Sequence, residues 1–257
     1  MIDLQDSINN RALLTINQVG VKGVKHPMQI ELNGAMQHVQ ADITMLCNLD
    51  KTQRGTHMSR FLEILHLKEW QIQHNDLTEI LSLIQDKLQV TNSFIEIKGD
   101  FFIKKTAPIS GTTSFLDYKF KVQAAKYGQN YHCTNTLKIP VTTLCPCSKE
   151  ISKYGAHNQR SQISLSIEST HELDLPNLIH VVEQQASCEL YGTLKRADEK
   201  YVTEKAFENA KFVEDIVRDI YQAIANLPNI SNFSISAENF ESIHNHSAFA
   251  YISSSSS

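Results

Sequence analysis

Two thiols and an imidazole lie close together in the middle of this chain. Leu144-Cys145-Pro146-Cys147-Ser148 is followed after a short interval by Tyr154-Gly155-Ala156-His157-Asn158-Gln159-Arg160. Thiols flanking a rigid proline, with a histidine spaced to fold back on them, suit a soft metal site or an activated cysteine. One intervening residue is too tight for an easy disulfide and differs from the spacing of redox motifs and zinc ribbons. Two buried structural cysteines are the plain alternative, but Pro146 fixes the backbone where the thiols must point. A closed zinc site takes four protein ligands and a catalytic one usually three plus water, so further donors matter. Lys195-Arg196-Ala197-Asp198-Glu199-Lys200 offers Glu199, with Glu204 its competitor, and spacing does not choose between them.

Three other stretches could do chemistry. Arg54-Gly55-Thr56-His57-Met58-Ser59-Arg60 precedes an expected helix and combines guanidiniums, hydroxyls, an imidazole and a glycine, a composition suited to phosphate. Capping of that helix by Thr56 or Ser59 explains it equally well. Lys22, Lys25 and His26 form a weaker cationic cluster. In Phe240-Glu241-Ser242-Ile243-His244-Asn245-His246-Ser247 a strand would point His244 and His246 to one face, for metal binding or proton relay, or as exposed decoration. Glu214 borders an apolar helical stripe, where a carboxylate can grip the N–H groups of a heterocycle or simply face solvent.

Composition narrows the setting. The chain has 257 residues, 41% hydrophobic and 20% charged, as in an ordinary soluble globular protein. No apolar run approaches the roughly 20 residues of a membrane span, and the acidic start lacks the order of a secretory signal, so the cytoplasm is expected. Five cysteines, an odd and sparse set, argue against a disulfide framework. A formal charge of -4 provides no global field for nucleic acid or an anionic membrane.

The elements that must position these residues follow from periodicity. Alternation around Asn33-Gly34 predicts two strands, over Met28–Leu32 and Val39–Met45. Three-and-four spacing predicts helices from Met58 to Leu65 and from Leu77 to Leu88. Strands follow near Phe94–Ile103 and Phe115–Ala125. After a turn at Tyr127-Gly128-Gln129-Asn130 come strands over Tyr131–Val141 and Gln162–Glu168, helices over Leu175–Leu190 and Val202–Leu227, and strands over Asn232–Ala237 and Ala248–Ile252. The long last helix ends at Pro228. Strand-strand-helix-helix-strand-strand therefore occurs twice, although a single α+β domain fits the same pattern. Ser253–Ser257 reads as a disordered, functionally silent tail.

Several of these blocks together resemble GTP cyclohydrolase I of type IB, the metal-dependent bacterial form. They are Gln40-Ala41-Asp42-Ile43-Thr44, Arg54–Phe61, Leu144–Ser148, Ala156–Ser161 and Glu241–His246, in that order along the chain. The resemblance runs from about Gly20 to Ile252. It implies an α+β tunnelling fold of two modules, residues 1–127 and 128–252, with antiparallel sheets and helices on one face. It also implies a cytoplasmic homotetramer with active sites at subunit interfaces, where His57 and His157 need not meet within one subunit.

The implied reaction is hydrolysis of the imidazole ring of GTP to formate and 7,8-dihydroneopterin triphosphate, opening folate biosynthesis. Carried across by motif, Cys145, His157 and Glu199 become metal ligands, with Cys147 beside them as a further catalytic candidate. Manganese and zinc are the expected ions, with iron also allowed by the mixed donor set. His244 and His246 become candidates for proton transfer, Glu214 for the guanine edge, and Arg54, His57, Arg60, Lys195 and Arg196 for the triphosphate. Two other readings stand beside this one. A tunnelling-fold nitrile reductase of queuosine biosynthesis would use a cysteine nucleophile without metal, and a non-catalytic scaffold would hold structural zinc in a closed site.

Overall fold

The computed structural model describes residues 14–67 and 76–254. The chain opens with a long hairpin, β1 (Ile16–Leu32) and β2 (Ala35–Leu49). Asn33 and Gly34 turn it with φ of 52° and 77°, left-handed values that an asparagine-glycine pair adopts at little cost. Both strands extend well beyond the predicted cores, because register shifts near Ile16/Val19 and Val21/Val24 let β1 continue where its alternation breaks down. Along β2, Ala41, Ile43, Met45, Cys47 and Leu49 are buried at every second position.

Helices α1 (Met58–His66) and α2 (Asp76–Leu88) carry the predicted apolar positions inward: Phe61, Ile64 and Leu65, then Leu77, Ile80, Leu81, Ile84 and Leu88. Next come β3 (Asn92–Thr106), β4 (Thr113–Tyr127) and β5 (Asn130–Leu144), joined by short turns. Polar clamps fix α2 to these strands: Ser93 Oγ donates to the Leu81 carbonyl at 2.9 Å, and Lys126 Nζ to Ser82 Oγ at 2.7 Å.

The remainder comprises α3 (Pro146–Ile151), β6 (Asn158–Glu168), α4 (Leu175–Glu183), the short β7 (Cys188–Glu189), α5 (Arg196–Glu208), α6 (Val213–Ala225), β8 (Phe233–Asn239) and β9 (Ala248–Ser253). Periodicity had predicted neither α3 nor β7. The helix expected over Val202–Leu227 is two helices. Three groups pull the chain out of helical geometry between them: Asn209 Nδ2 donates to the Ala186 carbonyl, the Lys211 amide to the Leu144 carbonyl, and the Phe212 amide to the Asp215 carboxylate that starts α6. The helix expected over Leu175–Leu190 ends at Glu183, and its last predicted turn is β7 on β5. At the C-terminus, Ser253 closes β9, and Ser254 donates to the Phe233 carbonyl while its hydroxyl accepts from the Phe233 amide. The serine tail therefore starts later than its composition suggested. Its last three residues, like 1–13 and 68–75, lie outside the described residues.

By internal packing the chain divides into two units. One comprises residues 14–67 and 76–99 with Lys121–Asn135 and Ser169–Leu173; the other comprises Asp100–Phe120, Thr136–Glu168 and residues 174–254. The first unit has strand order β1-β2-β3-β4-β5 and carries α1 and α2. The second has the order β3-β4-β5-β6-β8-β9, with β7 on β5, and carries α3 to α6. Its core joins Ile139 and Val141 of β5, Ile163, Leu165 and Ile167 of β6, Leu178, Ile179 and Val182 of α4, and Ile216, Ile220 and Ile224 of α6.

Candidate active site

Cys145 is the N-cap of α3 and Pro146 its first residue, a position where the missing N–H costs nothing. Three bonds fold the next segment back. Ser148 Oγ donates to the Cys145 carbonyl at 3.1 Å, the His157 amide donates to Ser148 Oγ at 3.3 Å, and the Cys145 amide donates to the His157 carbonyl at 3.2 Å. Gly155, at φ 114°, makes the reversal between α3 and β6. Cys145 and His157 thus become backbone partners, as their spacing predicted. Cys147 is exposed on α3.

His157 is oriented from behind. Its Nδ1 lies 3.0 Å from Gln159 Oε1 and 3.1 Å from Ser242 Oγ, and its Nε2 has no hydrogen bond among the described residues. Ser242 belongs to the β8–β9 connection that carries His244 and His246. That connection is a series of bends and not a strand, yet it still stacks the two imidazoles at 5.0 Å with 14° between their planes. Its start is held where the Phe240 amide donates to the Arg160 carbonyl.

Both candidate carboxylates stand at helix starts. Glu199 is exposed in the first turn of α5, with no side-chain bond among the described residues, whereas its competitor Glu204 is taken by Lys200 at 2.6 Å. Glu214 is exposed in the first turn of α6, just after the Lys211 amide grips the Leu144 carbonyl beside Cys145. It is therefore a helix-start residue and not the edge of one long stripe. Lys195 and Arg196 are exposed at the start of α5.

Polar anchors rather than apolar burial place α5, since Asp198 and Ala206 are its only buried residues. The Asp198 carboxylate accepts from the amides of Ile109 and Ser110 at 2.8 Å and of Lys195 at 2.9 Å. Burial opposes its charge, but these donors outweigh burial and hold it well below the usual carboxylate range. Farther along, Lys205 Nζ donates to Glu189 at 2.6 Å and Tyr191 Oη donates to the same carboxylate at 2.7 Å. Burial pushes Glu189 up, yet the Lys205 ammonium and the other donors bring it down to about 2. Burial and the neighbouring Glu189 charge push the Cys188 thiol up to about 12.

Arg54, His57 and Arg60 belong to the first unit. His57, not Thr56 or Ser59, is the N-cap of α1. Thr56 is buried and bonds the Cys47 thiol. Arg60 gives one guanidinium nitrogen to the Lys87 carbonyl at 2.9 Å, and Arg54 is exposed. In the weaker cationic cluster, Lys25 is paired with Asp42 at 2.7 Å. A concavity of about 610 Å³ in the same unit is lined by Lys22, Phe94, Glu96, Tyr127 and His132, among others, and by none of the other predicted residues.

Cys145 and His157, neighbours through a backbone hydrogen bond, bring a thiol and an imidazole to the same stretch of chain, and these donor types suit a divalent ion of intermediate softness. Among the described residues no three His, Cys, Asp or Glu side chains converge on one point, so Glu199 does not complete the pair here. Gln159, Ser242 and the polar residues behind them carry no motif that marks them as functional. Their signal was the run of Gln159 and Ser161 on the inward face of an otherwise apolar strand.

The arrangement of strands and helices is that of a known class. Uricase from Arthrobacter globiformis superposes with a TM-score of 0.52 at 9% identity, covering 92% of each chain. A hyper-thermostable variant of AgUricase reaches 0.59 at 10% identity, covering 94% of this chain and 92% of that one. At such identities the likeness shows fold alone, and that fold is of the tunnelling type. Sequence similarity is more specific. A family model described as type I GTP cyclohydrolase folE2 matches residues 1–250. The GTP cyclohydrolase FolE2 of Nitrosomonas eutropha is 46% identical over 252 residues, 97% of this chain and 94% of that protein. That of Thiobacillus denitrificans is 46% identical over 254 residues, 98% of this chain and 94% of that protein. The chain belongs to the type I GTP cyclohydrolase FolE2 family.

Proposed function

We propose that this protein opens the imidazole ring of GTP, releasing formate and yielding 7,8-dihydroneopterin triphosphate, the first step of folate biosynthesis. The observation that carries the activity is the match of residues 1–250 to the FolE2 family, with relatives aligned over almost their whole length. The finer reading is the metal-dependent type IB form, a bimodular tunnelling fold assembled as a cytoplasmic homotetramer. Its support is the backbone link between Cys145 and His157 and the exposed carboxylates of Glu199 and Glu214 at the starts of α5 and α6.

Cys145, His157 and Glu199 would hold the ion, manganese or zinc, with iron also compatible with the donors. When bound, it supplies Lewis acidity to the hydrolysis. The chain's own groups do the rest. Glu214 accepts two N–H groups from the guanine edge, a geometry that selects a purine carrying adjacent donors. His244 and His246 move protons at the purine nitrogens and ribose, their stacked rings placing two exchangeable sites side by side. Cys147 stands beside Cys145 as a further catalytic group. Arg54, His57, Arg60, Lys195 and Arg196 meet the triphosphate at a subunit interface, where they need not all come from one subunit.

The test is turnover of GTP by enzyme stripped with chelator and reloaded separately with manganese and zinc, reading formate and the fluorescence of oxidised neopterin. Restored release of both products supports the reading and ranks the metals. Absence of turnover with any ion in a folded oligomer would return the nitrile reductase and the scaffold to consideration.

A further inference from the structure

Behind His157 runs a closed chain of side-chain hydrogen bonds. Gln159 Nε2 donates to Thr143 Oγ1 at 3.0 Å, Thr143 and Ser161 share a hydrogen at 2.7 Å, and Ser161 Oγ donates to Asn239 Oδ1 at 2.7 Å. All four residues are 9% exposed or less, so water does not substitute for a missing member. Each link spends its donor toward Asn239 and leaves its acceptor toward His157. With its amide nitrogen committed to Thr143, Gln159 has only Oε1 to offer at 3.0 Å from His157 Nδ1.

An acceptor facing Nδ1 requires a hydrogen on Nδ1. In a neutral imidazole the other nitrogen then carries the lone pair. We propose that Gln159, oriented by the Thr143–Ser161–Asn239 chain, is a positioning residue that holds His157 in the Nδ1–H tautomer and keeps the Nε2 lone pair open for a divalent ion. This rests on the reading of His157 as a metal ligand. Run in the opposite sense, the same four residues would place the hydrogen on Nε2 and block ligation there, so the polarity of the chain carries the function. Ser242, 3.1 Å from the same Nδ1, extends the arrangement to the connection bearing His244 and His246.

The experiment is a long-range proton–nitrogen correlation spectrum of the imidazoles in the metal-free, full-length protein at about pH 8, above the ordinary histidine range. A parallel zinc competition titration uses a chromophoric chelator. The expected result is a protonated Nδ1 and bare Nε2 on His157. In Gln159→Leu and Thr143→Val the tautomers mix and zinc affinity falls about 10–100-fold, the usual loss when an outer-shell partner of a ligating histidine is removed. In Gln159→Glu, acceptor-only, the Nδ1–H tautomer and most of the affinity are kept, with circular dichroism checking the fold of each variant. An Nε2–H tautomer in the unmodified protein overturns the proposal without recourse to any variant, as does an unchanged tautomer and zinc affinity in Gln159→Leu. Unchanged zinc affinity in His157→Ala would instead overturn the ligand reading and the purpose given to the tautomer. The two failures are separable because the tautomer is read without metal.

Discussion

The five cysteines divide by burial. Cys47, Cys133 and Cys188 are buried, while Cys145 is half-buried and Cys147 exposed. Burial raises the thiols of Cys47 and Cys133, and burial with Glu189 raises Cys188, so all three should be inert while the fold persists. Alkylation of native, metal-free protein followed by peptide mass spectrometry should modify Cys147 first and Cys145 next, with the other three reacting only after denaturation. Prior loading with zinc should protect Cys145. Glu214→Gln keeps one acceptor but loses the charge and the second, so KM for GTP should rise by about tenfold or more while metal content is unchanged, measured by steady-state kinetics and elemental analysis. Equal losses of both would point to misfolding.

Among the elements, α5 shows best what composition hides. Its span buries little apolar surface, and a three-and-four rhythm from Val202 through Ala206, Ala210 and Val213 runs across a break that hydrogen bonds impose. Strands and the apolar helices α1, α2 and α6 were legible because period and burial agree in them. The α5–α6 break, β7 and α3 were not, because backbone bonds to distant strands decide them. The Cys145–His157 pairing was legible from spacing, whereas the chain behind His157 depends on which strands lie side by side. One polar cluster can be tested directly. Glu183 is 3% exposed, accepts from Tyr118 Oη at 2.6 Å and pairs with Lys105. Glu183→Ala leaves the Lys105 ammonium largely buried without its partner and should cost about 3–5 kcal/mol in urea unfolding. Gly155→Ala imposes a strained φ on the turn that returns His157, so zinc affinity should fall more than global stability does.

For the molecule as a whole, acid sensitivity follows from Glu189. Its folded carboxyl is held at about 2, below the ordinary 4.5, so its contribution is fully present above that ordinary value and is lost as pH falls toward 2. Lys205→Met removes one of the donors that hold this carboxylate charged while Tyr191 keeps its own, so stability should fall near neutral pH and by progressively less below about pH 4, read from urea midpoints. The proposed homotetramer can be tested at a sheet edge. β9 bonds only to β8 among the described residues and exposes Phe249 and Tyr251 at 64% and 60%. Lysine at both positions should lower the oligomeric state seen by light scattering and leave circular dichroism unchanged. The interruption at Asn209–Phe212 bears on how such a catalyst can change. One continuous helix would have fixed Glu199 and Glu214 about 22 Å apart on a single rigid rod. On two rods the two carboxylates can drift independently, so under the roles proposed for them a scaffold of this kind could take a new heterocycle by re-aiming α6 and Glu214 while Glu199 stays where it is.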